Sequence, residues 1–314
     1  MRFFTKAQVE KAVEARQVQA SMGFPVSSAM QGIVDRGVNF RFTSQDIRNA
    51  DIIFGSEPNS RRGTTAWRQA TTGIPIRQPD AQPQHLEVAM DIMFVNGIPF
   101  IVGVTRPLNY IMVGDLDKTY ETKAPARQSK IVEKSILEMV GSLKARNFNS
   151  ILLTWDGEKA VTQCTPALQF KGLQVQQVAA GAHVSVVERV IRSIKNRFRA
   201  VLLSLPYVLT ALLTVIAVLF VVRCLNMQVS ATSMSGISPR EAVQGLKTNG
   251  KTDFRFSFGQ SATVSIAVTT NSVLIPRVDD CIALLQVDNK EGSGLFLNLH
   301  SGKIVPLLHR LSHL

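Results

Sequence analysis

HLEVAMDIMFVNGIPFIVGV, residues 85–104, is the stretch whose reading decides the fold class. Its first eleven positions are dominated by strand-forming apolar residues, Asn96-Gly97 supplies two residues that tolerate positive φ in a tight hairpin, and a second apolar run follows. Two antiparallel strands are predicted, and NYIMVGDL, after a proline-containing turn, predicts a third. Downstream, QSKIVEKSILEMVGSLKA reads as an amphipathic helix and NSILLTWD as a short buried strand. CTPALQFKG then reads as a short helix, LQVQQVAA as another strand and VSVVERVIRSIKNRFRAVLL as a long helix.

The order βββαβαβα is that of an α/β, ribonuclease H-like core. In such a core Asp91 falls midway along the first strand, Asp156 at the carboxyl end of the fourth, and Glu188 in the first turn of the last long helix. These three positions are expected to converge at one edge of the sheet. Three carboxylates there can hold two hard divalent cations, Mg²⁺ or Mn²⁺, for phosphoryl transfer. Taken singly, Asp156 could merely end a strand in a turn with Gly157, and Glu188 could pair with Arg192 one turn on. Asp91 is different: between Met90 and Ile92 in an apolar strand it would be buried, which is costly unless it meets a cation. Glu158 is a spare carboxylate nearby.

Lys and Arg number 35 against 23 Asp and Glu, a net charge of +12 and a pI near 10.0, so the long-range field attracts polyanions, nucleic acid foremost. The last long helix concentrates this charge, with Arg189, Arg192, Lys195, Arg197 and Arg199 against a single acid. Arg192, Lys195 and Arg199 follow Glu188 at helical spacing and are expected to contact a DNA backbone, the plainer alternative being a solvated basic face. His183, just before the helix, is expected to orient a phosphate or a water, unless it is structural. Arg61 and Arg62, in a Pro-, Gly- and Gln-rich basic linker, are further expected DNA contacts.

Five segments follow from the pattern: a helical module at 1–57 with no zinc site, the basic linker at 58–84, the catalytic core at 85–235, a linker at 236–252, and a β-rich, SH3-like barrel at 253–314. Ser44, and Ser27 or Ser28, are the expected helix caps in the first segment. FRFSFGQSATVSIAV, SVLIPRVDDCIALLQV and GLFLNLHSGKIVPLL supply the expected strands of the last. Cys164, Cys224 and Cys281 are too scattered for a metal knuckle or a disulfide framework. The start, MRFFTKAQVEKAVEARQ, lacks the apolar segment of a signal peptide, so a nuclear or cytoplasmic chain is expected, not a secreted one. AVLLSLPYVLTALLTVIAVLFVV, residues 200–222, is long enough to cross a bilayer, but Pro206 divides it and no aromatic belt follows. Two buried helices broken near Leu205-Pro206 are expected, and no membrane partner.

On these residues the chain resembles, over almost its whole length, the integrase region of copia-type long-terminal-repeat retrotransposon polyproteins. VAMDIMFVNGIPFIVGV is similar to the segment with the family's first aspartate, TWDGE to that with the second, and GAHVSVVERVIRSIKNRFRA to that with the glutamate. SPREAVQGLKTN resembles the turn after the core. The resemblance implies endonucleolytic 3′-end processing and strand transfer, with Asp91, Asp156 and Glu188 holding two Mg²⁺ ions. It also implies element ends and target DNA as partners, and a homo-oligomer on DNA. The chain departs from the family in three ways. No His or Cys precedes His85, the interval from Asp156 to Glu188 is a few residues short, and DGE stands where DNG is usual. The lack of reverse transcriptase, protease and gag parts implies a fragment, a processed product or a decayed copy. The alternatives are a catalytically inactive, integrase-derived DNA-binding protein, a single-span basic membrane protein, and a ribonuclease H or cut-and-paste transposase.

Overall fold

The computed structural model describes residues 4–57, 59–60, 85–116, 129–156, 159–177, 185–229, 236–265, 278–287 and 293–307. In chain order its helices are α1 (Lys6–Ser21), α2 (Ser27–Asp35), α3 (Ser44–Phe54), α4 (Ser129–Lys144), α5 (Lys159–Thr162), α6 (Thr165–Phe170), α7 (Ser185–Ser204), α8 (Ala211–Asn226) and α9 (Pro239–Gln244). Its strands are β1 (His85–Val95), β2 (Ile98–Arg106), β3 (Ile111–Asp115), β4 (Ser150–Trp155), β5 (Gln174–Gln177), β6 (Ser261–Ser265), β7 (Val278–Gln286), β8 (Gly294–Asn298) and β9 (Ile304–Leu307).

The first five strands form one mixed sheet in the order β3-β2-β1-β4-β5. β1, β2 and β3 run antiparallel to one another in sequence, while β4 pairs parallel with β1 and β5 parallel with β4. This is the strand order a ribonuclease H-like core requires. Asn96 and Gly97 take φ of 50° and 81°, so the β1–β2 turn has positive φ at both central positions and matches the twist of the strands. β1 is central, and its side chains alternate between two cores. Leu86, Val88 and Met90 join Ile136, Val140 and Leu143 of α4, whereas Ala89, Met93 and Val95 join Val187, Ile191 and Ile194 of α7. A slip of one residue would exchange the two sets, so burial on both faces fixes the register.

The apolar run resolves as expected into two helices. α7 ends at Ser204, and α8 restarts at Ala211 with Thr210 accepting from the Leu213 amide. α8 is apolar nearly all round because it is buried nearly all round, in the core shared with α7 and β2. Among the described residues no helix is long and apolar enough to cross a membrane.

α1, α2 and α3 gather Met22, Met30, Ile33, Phe42 and Ile47 into a core of their own, completed by Met227 and Phe254 from far along the chain. The caps differ from expectation. Thr43, one residue before Ser44, caps α3 in a capping box with Asp46, because it is Thr43 that keeps extended backbone. α2 has Val26 at its N-cap and no side-chain cap; Ser27 instead donates to Asp51 Oδ1 at 2.9 Å. β6 to β9 form a four-stranded antiparallel sheet in sequence order, and among the described residues no β9–β6 ladder closes it into the expected barrel. FRFSFG precedes that sheet as turns. Its alternating pattern has another cause: Phe254 enters the N-terminal core, Phe256 the core of the small sheet and Phe258 the α7–α8 core.

The junction of these parts is ionic. Asp253 is buried against Arg223 of α8 at 3.0 Å and Arg240 of α9 at 2.9 Å, and accepts from the Asn249 amide at 2.8 Å. Removing one member of such a buried cluster leaves charge that water cannot reach. Asp253→Ala is expected to lower stability by about 3–5 kcal/mol, read as a fall in the urea midpoint with little change in slope.

Candidate active-site groove

The groove is built by two neighbours, β1 and α7. On α7, Val187, Ile191, Ile194 and Phe198 face the sheet. Glu188, Arg192, Lys195 and Arg199 each follow one of these residues directly, so they sit about 100° around the helix, on the flank overlooking β1. On β1, Asp91 shares the parity of Ala89 and Met93 and therefore lies on the α7 side. These elements enclose an open groove of about 350 Å³ lined by Asp91, Ile92, Glu188, Ile191, Arg192, Lys195, Asn196 and Arg199.

Asp91 is half-buried rather than buried as the sequence suggested, because β1 outruns its parallel neighbour. The β1–β4 ladder ends at Ala89–Thr154, two residues short of Asp91. The Ile92 amide donates to Asp91 Oδ1 at 2.7 Å. Glu188 is exposed in the first turn of α7, where a carboxylate also meets the positive end of the helix dipole. Among the described residues Arg189, Arg192, Lys195 and Arg199 make no ion pair, so their charge is available to an anion.

Asp156 stands two residues past Thr154, as Asp91 stands two past Ala89, and it shares the α7-side parity of Thr154. That parity is marked by Thr154 Oγ1 donating to Glu87 Oε1 at 3.0 Å across the ladder, whereas Leu153 and Trp155 point into the opposite core. Yet Asp156 does not line the groove, and among the described residues no three His, Cys, Asp or Glu side chains lie close enough to share a metal ion. Asp91 and Glu188 line one groove, and the three carboxylates do not form a common cluster. The donor set, carboxylate oxygens with one member half-buried, is of the type hard divalent cations take.

The other expected site residues divide. Arg189 is exposed but outside the groove. His183, Arg61, Arg62 and Glu158 lie outside the described residues. Arg197 belongs to the opposite side of α7 and not to the basic flank. It donates to the Met22 carbonyl at 3.2 Å and to Gln228 Oε1 at 3.2 Å, and its aliphatic stem packs on Gly23. Burial pulls its guanidinium down to about 10, still charged at neutral pH. Asn196 was missed, although it lies two helical turns from Glu188 and one from Arg192, a signal legible in the spacing.

No protein-family model matches the chain, and no curated protein matches its sequence. Among solved structures the chain is similar to the catalytic core domain of BIV integrase, with 16% identity, coverage of 52% of this chain and 95% of that chain, and a TM-score of 0.39. A likeness so slight carries no argument about residues or chemistry, and the fold reading rests on strand order and pairing.

Arg197→Ala is expected to loosen the seat of α1 on α7. The outcome is a loss of about 1–3 kcal/mol and faster proteolytic cleavage between α1 and α2, measured by limited proteolysis beside thermal unfolding.

Proposed function

We propose that the chain is a polynucleotidyl transferase of the copia-type integrase kind, which cuts and joins DNA at the groove between β1 and α7. One observation carries the reading: Asp91 and Glu188 line the same groove as Arg192, Lys195, Asn196 and Arg199, so acidic and phosphate-binding chemistry meet on one strand and one helix. A polyanion lying along the basic flank would have its backbone beside the carboxylates. The net charge of +12 favours its approach.

In this reading Asp91 and Glu188 of the groove, together with Asp156, would have to close on two Mg²⁺ or Mn²⁺ ions, because the three do not form one cluster here; when bound, such ions would activate an attacking oxygen and stabilise a leaving one. Arg192, Lys195 and Arg199 grip phosphates along the strand, and the apolar Ile92 and Ile191 shape the floor. In the first reaction a water oxygen bonds to phosphorus as the 3′ oxygen departs with the bonding pair and takes up a proton. In the second the freed 3′-hydroxyl loses its proton, attacks a phosphodiester of the target and displaces its 3′ oxygen, one bond forming for each that breaks. The reading carries with it element ends and target DNA as partners, a homo-oligomer on DNA, a nuclear or cytoplasmic setting, residues 85–235 as the catalytic core, and a β-rich module at 253–314.

The lack of a common cluster of the three carboxylates among the described residues favours a second reading, an integrase-derived protein that binds DNA without cutting it. Strand transfer separates the two. Purified protein, a short duplex mimicking an element end, and Mg²⁺ or Mn²⁺ are expected to give joined products. Asp91→Asn, Asp156→Asn and Glu188→Gln are each expected to lose them by on the order of 100-fold or more. Salt-sensitive binding with no nicking by any of the four proteins would select the binder.

Phosphate contact has its own signature. Arg192→Ala and Lys195→Ala are each expected to reduce the slope of log affinity against log salt by about 0.9, measured by fluorescence anisotropy, while Arg197→Ala leaves the slope unchanged.

A further inference from the structure

β3 is an edge strand of the five-stranded sheet, and parity decides which of its backbone groups face outward. The Tyr110 carbonyl accepts from the Thr105 amide at 3.0 Å and the Leu116 amide donates to the Pro99 carbonyl at 3.0 Å, so even-numbered positions turn toward β2. Odd-numbered positions turn away. At Ile111 the outward pair is closed by Asn226 of α8, whose Nδ2 donates to the Ile111 carbonyl and whose Oδ1 accepts from the Ile111 amide, both at 2.8 Å. A side chain does there what a further strand would do. Two residues on, the N–H and C=O of Val113 also face outward, and among the described residues they have no hydrogen-bond partner.

That open rung lies along a groove of about 480 Å³ walled by α4 and α8. The α8 wall is apolar, with Leu219 and Val222 on the same face of the sheet as Val113. The α4 wall carries Ser135, Glu138 and Ser142 at helical spacing. Ser135 lies against Gly114, where an added Cβ would come within 3.0 Å of it, and Ser142 Oγ reaches the Met112 sulfur at 3.9 Å. Glu138, between the two serines, therefore stands level with Val113. Its carboxylate is exposed, with Lys134 at 3.9 Å. At the Tyr110 end of the groove Gln244 Nε2 donates to the Tyr110 hydroxyl at 2.7 Å, and its buried Oε1 has no donor among the described residues. The groove thus holds an unpaired rung, an unmet acceptor and one exposed carboxylate.

We propose that the β3 edge is a docking site for one extended segment of a partner protein, which adds to the sheet as a further strand with apolar side chains toward α8 and basic ones toward α4. In an antiparallel pairing the residue opposite Val113 exchanges both backbone hydrogen bonds and lays its side chain on Leu219 and Val222. Its neighbours point to the other face, where Glu138 supplies the complementary charge, and a donor carried past Asn226 meets Gln244 Oε1. Size selects a segment over a second copy of this chain. β3 has 5 residues, so its edge is about 17 Å long and at about 10 Å across offers on the order of 200 Å², where a stable dimer buries about 800 Å² per partner. A second β3 would also bring its own α4, α8 and Asn226 into the same space. The β3 edge and the β1–α7 groove share no lining residue, so neither needs the other.

The probe is an amidated hexapeptide of alternating lysine and valine, labelled with fluorescein at its N-terminus and titrated with the full chain by anisotropy at about 150 mM salt, where distant charges are screened. Saturable binding is expected, weakened about tenfold when the valine amides are N-methylated and about threefold or more when glutamate replaces lysine. Glu138→Lys, on the exposed wall, is expected to reverse that preference and take the glutamate peptide over the lysine one. Val113→Pro, which removes the outward N–H at an edge position, is expected to weaken both, with thermal unfolding recorded beside it. No saturable binding of the lysine peptide, equal binding of its N-methylated form, or an unchanged charge preference in Glu138→Lys would overturn the proposal. So would a chain that self-associates in sedimentation and comes apart in Val113→Pro, since the edge would then belong to a second copy.

Discussion

Everything at the groove depends on the two-sided burial of β1. A central strand with a core on each face has one register open to it, since a shift by one residue would put Glu87 and Asp91 into the α4 core and Met90 into the groove. Two-sided burial is thus what presents a carboxylate toward α7. The same constraint acts on α7, whose apolar stripe must meet the sheet and whose next stripe must then overlook the strand. Asp91 and Glu188 line one groove because both elements answer to one core.

Charge is divided along the same helix by what each side faces. The flank toward the groove keeps Arg192, Lys195 and Arg199 without ion pairs among the described residues, while Arg197, on the opposite side, is spent on holding the N-terminal helices through the Met22 carbonyl and Gln228. The N-terminal helices, α8 and the 249–258 segment are tied together in turn. Met227 and Phe254 complete the N-terminal core, and Asp253 holds α8 and α9 through two arginines. The groove helix therefore sits between the sheet on one side and the N-terminal unit on the other.

Much of this was legible in the sequence, because the strong signals are local. The Asn96-Gly97 hairpin, the two halves of the apolar run and the placement of Glu188 in the first turn of α7 need only neighbouring residues to be read. The misreadings come where the cause is distant or lies in backbone conformation and not in residue type. Thr43 outranks Ser44 as a cap because of backbone conformation, and the alternation in FRFSFG arises from three cores meeting rather than from a strand. Arg197 looks in composition like one more phosphate ligand, and only the packing of α1 and Gln228 against it says otherwise. That Asp91 is half-buried and not buried follows from where the β1–β4 ladder stops, which no run of residues announces.

A cation-binding edge at Asp91 and Glu188, beside the basic flank of α7, would show itself when the full chain is titrated with Mn²⁺ under electron paramagnetic resonance. The expected result is saturable Mn²⁺ binding that is weakened in Asp91→Asn and in Glu188→Gln and is untouched in Glu138→Gln on α4. Mn²⁺ binding that is absent, or equal in all four proteins, would contradict it.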